Sequence, residues 1–305
     1  MKFRQMYVAV ALATVALCSA LVSAAAAGPD IYVGDFQKIT KTTDLGATSG
    51  THVAGAGVIE GLEFDLGAGK MYWTSRSGPK AIRRSDLDGS NVESLLTGSN
   101  AGTAPRGLAL DGLGKMYWGT KTDIRSADLN GSNKVQFLGG TGTVRRLRIV
   151  DDLLYFAAAG NVSVINLDGT GETHVLEQVG INGFDIDTAA GKIYYANSGD
   201  LIQKADLDGT NIETVLDLNG SGDGGFSILD LRLFDGKIYY TDNSPVGPDT
   251  VSRVNLDGSG NVILMAGSPI HIAATSLAVI VPEPSTLVLV FVGLACMTWR
   301  RRRGS

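Results

Sequence analysis

A closed ring of six four-stranded units, an all-β propeller, is the fold class predicted for this 305-residue chain. Three observations predict it. An apolar residue followed by Tyr recurs six times, with Tyr-to-Tyr spacings of 40, 45, 38, 39 and 45 residues. A tight-turn signal follows each tyrosine and is degenerate only in the first copy. No helical periodicity or long linker interrupts the repeat, and a fixed period in this range points to a repeat architecture before any single motif does.

The repeated step is Ile31-Tyr32, Met71-Tyr72, Met116-Tyr117, Leu154-Tyr155, Ile193-Tyr194 and Ile238-Tyr239. The turns that follow are Asp44-Leu45-Gly46, Asp86-Leu87-Asp88-Gly89, Asp128-Leu129-Asn130-Gly131, Asn166-Leu167-Asp168-Gly169, Asp206-Leu207-Asp208-Gly209 and Asn255-Leu256-Asp257-Gly258. Asp-Gly and Asn-Gly supply the left-handed backbone angles of a tight hairpin, so each marks a turn between two short strands. Before most tyrosines an apolar segment ends in an acid, at Asp65, Asp111, Asp151, Asp187 and Asp235. One repeat is therefore four strands. The first copy lacks the leading strand, and residues 275–280 are left over at the other end. We expect that last strand to complete the first blade, which removes two free sheet edges.

Two flanking segments are read by export machinery and stand outside the core. Lys2 and Arg4 precede an apolar run over residues 6–22, and the small residues 23–27 suit signal peptidase, so residues 1–27 are expected to be a signal peptide. Residues 28–280 are the expected propeller and residues 281–305 a sorting tail. In the tail, Pro282-Glu283-Pro284 is followed by an apolar run at 287–299 and by Arg300, Arg301, Arg302 and Arg303. Such arginines favour the cytoplasmic face and so act as a membrane stop, leaving everything before them outside. The apolar run is shorter than the roughly 17 to 25 residues of an ordinary spanning helix.

With both ends removed, the body holds 20 basic residues against 31 acidic ones, a net charge near −11. Nucleic acid is therefore excluded as a partner. Both cysteines, Cys18 and Cys296, lie in the hydrophobic ends, so the body has neither thiol nor disulfide and depends on its core.

The tail resembles the PEP-CTERM sorting signal of bacterial surface proteins. That resemblance implies recognition of Pro282-Glu283-Pro284 by an exosortase-like transpeptidase, passage through the membrane before processing, and residence at the cell envelope of an exopolysaccharide-producing bacterium. Tyr72-Trp73-Thr74-Ser75 and Tyr239-Tyr240-Thr241-Asp242, with their downstream Leu-Asp-Gly turns, resemble the YWTD repeats of the low-density-lipoprotein receptor and nidogen families. The fold this resemblance implies is the six-bladed propeller. In Tyr155-Phe156-Ala157-Ala158 only the aromatic pair of the motif is kept.

In such blades the innermost strand lines a central channel, and the residue before it lies at the channel mouth. Aligning the repeats places Glu60, Arg106, Arg146, Asn182, Asp230 and Thr275 there. All six are polar. One reading is a ring able to hold a sugar, a peptide or a carboxylate. The other is a ring of inter-blade ion pairs around a wet channel. Loops at 75–80, 99–105, 219–225 and 243–250 are further contact candidates.

The sequence offers little catalytic machinery. His52, His174 and His271 occupy non-equivalent repeat positions, and no nucleophile elbow, phosphate loop or zinc motif is present. Six-bladed lactonases and lyases hold a metal at the channel, and Glu60, Asn182 and Asp230 are the residues that would imitate such a site. The Asp-Gly segments lack the further acids of a calcium loop and read as turn chemistry, with weak divalent-cation binding along the acidic rim as the alternative. Trp73, Trp118, Tyr195 and Tyr240 read as blade packing. The sequence-level expectation is thus a non-enzymatic surface protein, without a cofactor, that contacts polysaccharide or other envelope proteins. A channel metalloenzyme and a purely structural protein are the alternatives.

Overall fold

The computed structural model describes residues 29–43, 50–177, 180–197, 200–218, 227–243, 249–266 and 276–280. These form six four-stranded antiparallel sheets. The first blade holds β1 (Asp30–Gly34), β2 (Lys38–Thr43) and β3 (Gly50–Ala54). The second is β4 (Ile59–Asp65), β5 (Lys70–Ser75), β6 (Ala81–Asp86) and β7 (Glu93–Thr97); the third is β8 (Leu108–Leu110), β9 (Lys115–Gly119), β10 (Asp123–Asp128) and β11 (Val135–Gly139). The fourth is β12 (Val144–Val150), β13 (Leu153–Ala158), β14 (Asn161–Asn166) and β15 (Thr173–Leu176); the fifth is β16 (Gly183–Asp187), β17 (Lys192–Ala196), β18 (Leu201–Asp206) and β19 (Glu213–Asp217). The sixth is β20 (Ser227–Phe234), β21 (Lys237–Asn243), β22 (Thr250–Asn255) and β23 (Val262–Ala266). β24 (Ser276–Ile280) then pairs with β1, from Asp30↔Ile280 to Gly34↔Ser276, and closes the ring as the expected last strand.

The first strand of each sheet lies innermost and touches its counterparts in the two neighbouring blades. Side chains alternate across each strand, and here both faces are covered. Met71 and Trp73 enter the cluster shared with the first blade, whereas Tyr72 enters the cluster shared with the third. Each interface between blades has one such cluster, six in all. That double burial explains why the second strands carry an unbroken apolar stretch, as at Met71-Tyr72-Trp73 and Ile193-Tyr194-Tyr195, in place of an alternating pattern. Trp73 and Trp118 are completely buried and donate their indole N–H groups to the carbonyls of Ala56 and Ala101 at 3.3 and 2.8 Å.

The Asp-Gly turns connect the third strand of a blade to the fourth. In the second blade the N–H of Gly89 donates to the Asp86 carbonyl at 2.9 Å, and the Ser90 N–H to Asp88 Oδ1 at 2.8 Å. The Asn91 amide donates to Asp86 Oδ2 at 2.6 Å. The same scheme returns around Asp128 and Asp206. Gly209 has φ +82°, and a Cβ there would lie 2.1 Å from the Val175 carbonyl oxygen, so this turn also seats the fifth blade on the outer strand of the fourth. Among the rim acids, Asp65, Asp111 and Asp187 accept N–H groups of their own turns, from Ala68, Leu113 and Ala190. Asp151 and Asp235 sit at φ 53° and 47° in hairpin turns.

Several expectations fall outside the described residues: the signal peptide, the first turn at 44–46, the loop at 219–225, most of the loop at 243–250, His271, Thr275 and the whole tail. Among the described residues no helix is long and apolar enough to cross a membrane.

Close approach of inner strands sets a steric limit. A Cβ on Gly183 would stand 2.7 Å from the Cα of Asp230 and 2.9 Å from the Leu231 nitrogen, both backbone atoms of the next blade. Gly183→Ala should therefore cost about 1–3 kcal/mol, the usual penalty for overpacking. Urea unfolding followed by tryptophan fluorescence measures it.

Candidate functional site at the channel mouth

The second strands give a common ruler for the inner ones. Leu62, Leu108, Leu147, Phe184, Leu231 and Leu277 lie opposite Trp73, Trp118, Phe156, Tyr195, Tyr240 and Val33. One residue earlier stand Gly61, Gly107, Arg146, Gly183, Asp230 and Ser276. Two residues earlier stand Glu60, Arg106, Arg145, Asn182 and Leu229, with Thr275 completing the set outside the described residues. The expected ring must be corrected on this ruler: Glu60, Arg106 and Asn182 share the mouth position, but Arg146 and Asp230 lie one step deeper. Their places at the mouth belong to Arg145 and Leu229.

The cause is a β-bulge. The pairing shifts between Ile59 and Leu62, between Val144 and Arg146, and between Ile228 and Asp230. Each shift adds a residue that the partner strand does not match, and a bulge re-aims the side chain it carries. Sequence alignment cannot see the extra residue. The one available signal is the Arg145-Arg146 pair, two charged residues where no other blade has more than one.

From the mouth inward the channel is lined with ion pairs. Arg106 pairs with Glu60 at 2.5 Å, and Arg76 pairs with the other oxygen of the same carboxylate at 2.8 Å. Arg146 crosses from the fourth blade to the sixth, 3.1 Å from Asp230, and donates to the carbonyls of Leu229 at 2.7 Å and Glu60 at 3.2 Å. Arg148 lies 3.3 Å from both Asp185 and Asp230. Arg232 pairs with Glu63 and donates to the Leu277 carbonyl at 2.9 Å, while Asp230 accepts the Leu277 N–H at 3.1 Å. These contacts reach all six blades.

Asp230 is the hub. Burial pushes its carboxyl up, but Arg146, Arg148 and Arg232 outweigh burial and hold it below the usual carboxylate range. Arg145 is different. It is exposed, and its guanidinium makes no ion pair among the described residues. Burial of part of its stem, together with Arg106, sets its pKa below that of an ordinary arginine against the opposing pull of Glu60. Two hollows adjoin it. One, of about 60 Å³, lies at the mouth between Glu60, Arg146 and Leu229; the other, of about 330 Å³, runs outward between the fourth and fifth blades over Ala157 and Ala158. Asn182 borders both.

Glu60 and Asp230 each face two guanidiniums, and among the described residues no three His, Cys, Asp or Glu side chains converge.

Removing the hub's charge takes from buried Arg146 its pairing with Asp230 and leaves buried Arg148 to Asp185 alone. Asp230→Asn should destabilise the fold by about 3–5 kcal/mol at neutral pH. Because the folded pKa is depressed, the stabilisation is present above the unfolded value near 4 and is lost as pH falls through the folded value. The gap between wild type and Asp230→Asn should thus narrow in acid, which urea unfolding at about pH 7 and about pH 3 checks.

Comparison with known proteins agrees with this architecture. Residues 281–303 match the PEP-CTERM protein-sorting motif. A chain of the nidogen/laminin complex is 18% identical with a TM-score of 0.69, covering 83% of this chain and 98% of that one. TolB from Acinetobacter baumannii is 13% identical with a TM-score of 0.60, covering 79% of this chain and 65% of that one. A gluconolactonase from Xanthomonas campestris is 15% identical with a TM-score of 0.55, covering 69% and 76%. At these identities the likeness is one of fold. The chain is a six-bladed propeller with YWTD-like repeats, similar in fold to the nidogen/laminin chain, that carries a PEP-CTERM protein-sorting motif.

Proposed function

We propose that this protein is a surface binding module whose channel mouth contacts a polysaccharide or another envelope protein. Its PEP-CTERM motif implies export to the cell envelope and processing by an exosortase-type enzyme. The observation that carries the proposal is the direction of the closing strand. Inner strands start at the mouth, so β24 runs away from it and ends at Ile280, paired with Asp30. The matched motif begins at the next residue, 281. Chain entry and chain exit therefore share the rim opposite the mouth, and attachment through the tail points the mouth outward.

A binding role fits the channel better than a metal-dependent hydrolase or lyase. The carboxylates such a metal would need, Glu60 and Asp230, already neutralise arginines, and a cation would have to displace them. The body's net charge, near −11, further favours a soluble display module over a protein that collapses on an anionic membrane.

Two variants test the reading. With Pro282→Ala and Glu283→Ala together, the full-length chain should accumulate in the membrane fraction at its unprocessed mass, whereas wild type reaches the surface or medium at lower mass. Identical fractionation of the two would remove the sorting half. Asn182→Trp, which plugs the mouth, should reach the surface normally but retain less envelope polysaccharide or protein on affinity beads. Undiminished retention would rule out the mouth as the contact.

A further inference from the structure

One cation at the mouth takes no part in holding the ring. Arg76 and Arg106 share Glu60, Arg146 and Arg148 share Asp230, and Arg232 has Glu63. Arg145 has no such partner among the described residues, and it borders the 330 Å³ cleft.

The fourth blade departs from the repeat in a way that creates this cleft. Its loop between second and third strands is only two residues, Ala159 and Gly160, against three to six in the other blades. Both residues have positive φ, 52° and 90°, as a two-residue hairpin requires. The strand end before the loop is Ala158, where the other blades place Asp35, Ser75, Thr120, Asn197 and Asp242. All five of those are polar. Asp35 and Thr120 fasten their loops by accepting backbone N–H groups. The copy that keeps least of the motif is the copy that leaves an open, small-residue floor, and the bulge in β12 sets Arg145 beside it.

We infer that this cleft binds a carboxylate-bearing sugar unit, with the carboxylate on Arg145, the ring on the alanine floor, and Asn182 and Thr143 placed to meet its hydroxyls. The inference rests on the surface-binding reading and names the ligand class of the same site. Arginine's planar fork matches a carboxylate through two parallel hydrogen bonds. At the mouth Arg76, Arg106 and Arg145 stand against a single carboxylate, Glu60, so the local field attracts an anion although the body as a whole repels one. An anion bound there also offsets the repulsion that Arg106, Arg146 and Arg76 exert on Arg145. A volume of about 330 Å³ is at the small end of ligand pockets and suits one ring better than an extended peptide.

The test titrates the full-length chain with D-glucuronate, D-glucose and N-acetyl-L-glutamate by calorimetry. Glucuronate should bind measurably and more tightly than either comparator, and added salt should weaken it. Arg145→Ala should weaken glucuronate about tenfold or more, and Arg145→Lys less than that. Ala158→Leu, which fills the floor, should abolish binding. An unchanged melting temperature in each variant shows that the fold is intact. No glucuronate binding by wild type, or equal binding by Arg145→Ala, overturns the inference. N-acetyl-L-glutamate binding as tightly as glucuronate overturns the sugar assignment in favour of acidic peptides. Envelope polysaccharide held on beads equally by wild type and Arg145→Ala sinks this inference and leaves the surface-binding reading standing; failure of wild type to hold any envelope component sinks that reading instead.

Discussion

Everything in this molecule depends on the pairing of β24 with β1. Without β24 the first blade would be a three-stranded sheet with β1 as an unpaired inner edge, and the body contains no cysteine to staple the ring. Five matched residue pairs and the cluster around Ile31, Val33, Tyr239 and Leu277 hold the joint. The closing strand is also an inner strand, so the same five residues that seal the perimeter complete the wall of the channel. Leu277 illustrates the coupling: its side chain is in the core, while its N–H and C=O receive Asp230 and Arg232 from the sixth blade.

The ion pairs in the channel are best understood as devices of register. Buried charges lose most of their Coulombic gain to desolvation, so the network adds little net stability over a well-packed apolar core. A misplaced blade, however, would strand a buried guanidinium, at a cost of several kcal/mol. Arg146 and Arg148 from the fourth blade, Asp185 from the fifth and Asp230 from the sixth make each blade's position conditional on its neighbours'. The glycines at 61, 107 and 183 act to the same end by letting neighbouring backbones approach where a side chain would collide.

The fourth blade departs most from this scheme. Repeats that are structurally sufficient in five blades leave the fourth free to shorten a loop and expose Arg145. The inner strands begin on the face away from Ile280, the residue that precedes the matched sorting motif.

Period and punctuation were legible without coordinates. The Tyr spacing, the Asp-Gly turns and the orphan strand at 275–280 determined six blades and their closure, because hairpin backbone angles and a two-sided apolar strand are local requirements that residues write directly into the chain. The sorting motif was legible for the same reason, being read as a linear string. The polar character of the positions ahead of the inner strands could be read from Glu60, Arg106 and Asn182. Which arginine meets which carboxylate could not. Bulges in β12 and β20 add a residue that the partner strand does not match, and pairs such as Arg146 with Asp230, 84 positions apart, exist only once the ring has brought distant blades together. Tertiary structure alone therefore decided that Arg146 and Asp230 are ring fasteners and that Arg145 is the exposed cation, because a side chain's partner depends on closure and a bulge is invisible until its neighbouring strand is in place.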